Sequence, residues 1–185
     1  MLGGLTWIAY TLAALLRPWG RDGANLIVSK TAGGTAGDAS AFLVTALAGG
    51  LALGLLGLAL AGVARRWRLP ARLPGQIGLA LGLASAALGP LLWFAALLAQ
   101  PALAVAGMNA GSLMLAVAAL LVAIDAAGQP LATPLFIVGA LGLAAICALA
   151  LLSLAGWMLP VYAALVMAIY GFAWVRFGAM LGSDR

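Results

Sequence analysis

Histidine and glutamate are absent from this 185-residue chain, cysteine occurs once, as Cys147, and charged residues make up only 7%. Without histidine there is no His-ligated haem, no His-bound zinc and no Ser-His-Asp triad. A single cysteine excludes dithiol exchange within the chain. A soluble domain carries about 25% charged residues, so so small a share excludes a water-soluble globule. The acids are four scattered aspartates, Asp22, Asp38, Asp125 and Asp184. With no base beside them the chain is read as a non-enzyme that needs no cofactor and no metal. No charge falls in the middle of a long apolar run. Ion coupling through a carboxylate buried in mid-bilayer is therefore disfavoured.

What is present is apolar surface: 66% of the residues are hydrophobic, and the length fits one domain. A bilayer core about 30 Å thick takes roughly 20 apolar residues of helix. Residues 41–64, 76–99 and 102–124 are uncharged and meet that length. Leu135 to Val175 is also uncharged and is long enough for two spans, so it is expected to fold back near Ser153–Gly156, giving 135–153 and 157–175. Pro160 then falls in the first turn of the last span, where its missing N–H matters little. Residues 2–16 form a marginal span, with an interfacial helix as the alternative. The expected fold class is an all-α integral membrane protein, a polytopic helical bundle of 5–6 transmembrane helices within a single transmembrane domain, residues 1–185.

Orientation follows from arginine. The loop 65–75 holds Arg65, Arg66, Arg68 and Arg72, which assigns it to the cytoplasm by the positive-inside rule. Alternation then puts the C-terminus, with Arg176 and Arg185, on the same side, and a bacterial cytoplasmic membrane is the expected location. Trp157 and Trp174, at the two ends of the last expected span, read as interfacial anchors. The excess of basic residues is a topology signal with anionic lipid headgroups as its counterpart; it is too short and too poor in interleaved aromatics for nucleic acid.

Lipid tails are as apolar as leucine, so helices in a bilayer associate through small residues that allow close approach. Gly50, Gly54, Gly57 and Ala61 recur on one helix face, and Gly78, Gly82, Ser85 and Gly89 recur on the next. The short arginine loop makes these two spans antiparallel neighbours, so the two rows are placed to face each other. Gly107 and Gly111 supply a further small face, and Gly139 with Gly142 a weaker one. These faces serve packing within the chain or a homo-oligomer seam. Pro90, well inside 76–99, is expected to kink that span.

Polar candidates are few. Asn109 and Ser112 form the most polar pair inside a span, and an unpaired amide in hydrocarbon costs several kcal/mol, so Asn109 is expected to face the interior. Asp125, just past the end of 102–124, reads as a headgroup-level carboxylate or a residue at the cytoplasmic mouth of a path. Ser85 and Thr45 can bond their own helix backbone, and Cys147 reads as a small buried apolar residue. The longest polar segment, 17–40, holds Arg17, Arg21, Asp22, Lys30 and Asp38 and is expected outside, as a connector, lid or docking loop. Its TAGGTAGD run lacks the Gly-Lys-Ser/Thr ending of a phosphate loop, so nucleotide binding is rejected. Two functions stay open: a small transport component with the 17–40 loop over its outer mouth, or a non-catalytic accessory subunit of a larger membrane complex.

Overall fold

The computed structural model describes residues 1–15, 36–67, 69, 72–98, 101–155 and 160–183. Among these residues the chain is all-helical, with α1 Leu2–Leu15, α2 Ala36–Arg66, α3 Leu73–Leu97, α4 Pro101–Asp125, α5 Ala132–Leu154 and α6 Pro160–Ser183. Every one but α1 is long and apolar enough to cross a membrane. Each span expected from the sequence has its helix, with shifted ends. α2 starts at Ala36, so Asp38 belongs to a helix rather than to the loop. α6 starts at Pro160, where a missing N–H is harmless, and runs past Val175 to Ser183. Arg176 does not end it, because the residue is exposed and a long basic side chain can reach an interface while its backbone stays helical.

Neighbours in sequence are neighbours in space. α1 packs on α2, and so on through α6, which closes back on α1; α2 also touches α4. The α4–α5 connection turns at Gly128, whose φ of 89° lies in the left-handed region that glycine adopts without penalty. α3 carries Pro90 without interruption from Leu73 to Leu97, and Pro90 is exposed, away from the neighbouring helices.

On α3 residue sizes are distributed inside out compared with a soluble protein. The buried face of α3 is Gly75, Gly78, Gly82, Ser85, Gly89 and Leu92, at alternating spacings of three and four, while Leu73, Leu91, Phe94 and Leu97 are exposed. Small residues inward and large apolar residues outward is what a lipid solvent asks for, since packing rather than apolar burial joins the helices. The α2–α3 rows do face each other. A Cβ on Gly50 would meet the Gly89 carbonyl, and one on Gly57 would meet Ala86 and the Gly82 carbonyl. Gly54 departs from the expected row: a Cβ there would meet nothing within 4 Å. Leu53 and Leu60, both fully buried, pack on Gly111 of α4 and Gly82 of α3 respectively.

α1 is held by aromatics. Trp7 and Tyr170 meet edge to face at 5.1 Å between ring centroids, and Trp174 and Phe177 extend the stack along α6. The Trp7 indole N–H donates to the Met167 carbonyl at 3.1 Å. Trp174 is thus buried in this stack rather than placed as an interfacial anchor. Where α1 crosses α6, Gly4 packs on Val175 and the Gly171 carbonyl, and Gly171 packs on Trp7 and Ile8. Trp157 lies outside the described residues.

Candidate functional site

Inside the bundle, the hydroxyls of Thr11, Ser85 and Ser112 are bonded to backbone carbonyls. The Ser112 hydroxyl donates to the Met108 carbonyl at 2.7 Å, one turn back on α4. Ser85 does not bond its own helix as expected; its hydroxyl donates to the Gly111 carbonyl at 2.9 Å, across the α3–α4 contact. Gly111 has no side chain to shield its carbonyl, which brings that oxygen within reach of α3. The sequence shows both residues but not their register, so this bond is visible only in the fold.

Asn109 is exposed, contrary to its expected place in the interior. The inward face of α4 is filled by Ala104, Met108, Gly111, Ser112 and Leu115, all buried. Position 109 is a 100° step away from 108 and falls on the lipid side. It sits roughly 12 Å along α4 from Pro101 at 1.5 Å per residue, well inside the apolar length of the helix. Ala106 and Leu113 share its exposed face, and no described residue gives the amide a hydrogen bond.

Asp125 is buried at the other end of α4. Its Oδ1 accepts the backbone N–H of Arg72 at 2.8 Å, at the residue that caps the start of α3. The carboxylate also rests on Gly75, where a Cβ would come within 2.6 Å of Cγ. The first N–H groups of a helix have no partner within it and carry partial positive charge, so the carboxylate is well placed there. Asp125 therefore ties two helices together and does not open into a mouth. Ser112 and Asp125 are about 20 Å apart along α4, and Asn109 faces away, so the three polar candidates form no common pocket.

Cys147 is exposed on α5 and not buried, because Gly139, Gly142 and Ala145 occupy the inward face there. Arg17, Arg21, Asp22 and Lys30 lie outside the described residues. Of the remaining glycine faces, Gly78 packs on Ala118 and Leu121 of α4, Gly107 on Leu92, Gly111 on Leu53, and Gly139 and Gly142 on Ala116.

One feature went unforeseen in the sequence. The backbone nitrogen of Met1 rests on Gly178, and Gly3 packs on Leu56. The last turns of α2 and α6 bound a cleft of about 310 Å³, lined by Ala59, Gly62, Val63 and Arg66 on one side and Gly178, Leu181 and Gly182 on the other. Its two walls are more than 100 residues apart in sequence, so only the docking of α6 beside α2 reveals it. Comparison with protein-family models, curated proteins and solved structures returns no match.

Proposed function

We propose that this chain is a non-catalytic subunit of a membrane assembly, joined to its partner through the lipid-facing strip of α4 at Ala106, Asn109 and Leu113. The observation that carries this reading is the exposed amide of Asn109, set well within an apolar helix with no hydrogen-bond partner among the described residues. A primary amide in hydrocarbon costs several kcal/mol unless it is bonded. A neighbouring transmembrane helix with a polar side chain or a free carbonyl removes that penalty. Ala106 beside it lets a second backbone come close.

The transport reading rests on the 17–40 loop and the kink expected at Pro90, with Asn109, Ser112 and Asp125 as its candidate polar-pocket residues. With Ser112 and Asp125 each bonded to backbone and Asn109 turned outward, the subunit reading accounts for more of these residues. The test is native mass spectrometry of the chain released from its own membranes into nanodiscs, beside Asn109→Leu. A second polypeptide or a second copy should accompany the native chain and be lost from the variant. A chain that emerges alone in both cases overturns the proposal. Solute uptake into liposomes holding only this chain would favour transport instead.

A further inference from the structure

We infer that the cleft between the ends of α2 and α6 is a binding site for one anionic phospholipid. Its walls are a mixture that suits this class of molecule. Ala59, Val63 and Leu181 offer apolar surface, while Arg66 stands at the last residue of α2 and brings a permanent positive charge to the mouth. Arg65 precedes it, also exposed, and no described carboxylate pairs with either. Asp125, the acid nearest this end in the described fold, is spent on Arg72 at the α3–α4 corner. The planar guanidinium offers paired N–H donors that match a phosphodiester, and its weaker hydration than an ammonium eases the exchange of water for phosphate.

The glycines of the cleft separate into two kinds. Gly178 is closed by Met1, as a packing glycine should be. At Gly62 and Gly182 a Cβ would meet nothing within 4 Å, so no neighbour within the chain requires glycine at either position. What their lack of a side chain does is keep the cleft open beside Arg66. Basic pockets between transmembrane helices are a recognised setting for anionic headgroups, and a lipid entering sideways from the bilayer brings its acyl chain to the apolar wall as its phosphate meets Arg66. A neutral lipid would satisfy the wall and leave the charge unanswered; a soluble anion would do the reverse. The amphipathic lining therefore selects the phospholipid.

The test uses the full chain in nanodiscs of phosphatidylcholine alone or with phosphatidylglycerol, followed by gentle release and native mass spectrometry. The native chain should retain one phosphatidylglycerol in preference to phosphatidylcholine. Arg66→Gln should weaken that retention about fivefold, the worth of one basic residue against an anionic lipid. Gly182→Leu, which fills the cleft and keeps the charge, should abolish it. A matching rise in thermal stability with phosphatidylglycerol should appear in the native chain and vanish in Gly182→Leu, whose own cooperative melt in phosphatidylcholine alone reports that the variant is folded. Equal retention of the two lipids, or retention unchanged in both variants, overturns the site. Inorganic phosphate displacing the lipid at millimolar concentration would show a simple anion site and overturn it as well.

Discussion

The carboxylate of Asp125 accepts the backbone N–H of Arg72 at 2.8 Å, across 53 residues of sequence. It fastens the C-terminal end of α4 to the N-terminal end of α3. At its own helix end the acid is unfavourably placed, since the C-terminus carries partial negative charge. The start of α3 more than offsets this, because orphan N–H groups gather there.

Replacing Asp125 should therefore destabilise the bundle. Asp125→Ala is expected to cost about 1 kcal/mol, the usual worth of a side chain that caps a helix. Gly75→Ala should cost a comparable amount by pushing the carboxylate away. Guided unfolding in detergent, following the midpoint of each variant, checks this; an unchanged midpoint for both would mean the tie carries no stability.

The α2–α3 seam predicts an ordered series. Gly57→Ala and Gly50→Ala put a methyl group against a backbone carbonyl on α3, so the helices must separate, at about 1–3 kcal/mol each. Gly54→Ala should be neutral or slightly stabilising, because its Cβ enters open space and alanine favours the helix by up to about 1 kcal/mol. Thermal midpoints of the three proteins decide it: a Gly54 variant as weak as the Gly57 variant would contradict the register.

The Ser85 hydroxyl is bonded to the Gly111 carbonyl inside the bundle, whereas Asn109 is exposed and unbonded among the described residues. Ser85→Ala should lower stability by about 0.6 kcal/mol, the average for a polar contact between membrane helices. Asn109→Leu should leave the isolated chain as stable or more so. Urea unfolding in micelles measures both changes, and a larger loss for Asn109→Leu would place that amide inside after all.

The aromatic stack supplies a contrasting pair. Trp7→Phe removes the donor to the Met167 carbonyl, which keeps its partner within α6, so the lost bond should cost about 0.5–1.5 kcal/mol beyond the smaller ring. The buried Tyr170 hydroxyl has only the neighbouring Trp174 indole as a partner, short of good hydrogen-bond geometry, so Tyr170→Phe should be near neutral. Near-ultraviolet circular dichroism during thermal melting follows the stack directly. A strongly destabilised Tyr170→Phe would reveal a bond to that hydroxyl.

Composition and run length were enough to read the helical membrane class, five of the helices and the facing glycine rows, because each depends on local order along the chain. A stretch without charge must find hydrocarbon, and small residues at steps of three and four must share a face. The end points were less legible. Asp38 falls within α2, and Arg176 within α6, since a helix can run past a basic residue whose long side chain can reach an interface.

The orientation of each face about its own axis was beyond local order. Asn109, Cys147 and Trp174 were each given the wrong side, because polarity and size permit either side until the neighbours are known. In α4 the buried positions are those turned toward its neighbours: Met108 meets Gly49 of α2, and Gly111 meets Leu53 of α2 and the Ser85 hydroxyl of α3, where Asn109 is exposed. The scarcity of ionisable groups determined from the outset that the chain lives in a bilayer and carries no histidine or glutamate chemistry. Tertiary packing alone assigned Asp125 to the start of α3, turned Asn109 to the lipid and left a cleft at Arg66 between α2 and α6. Close packing of small residues decides such contacts, and it depends on the register of one helix against another, which no single helix contains.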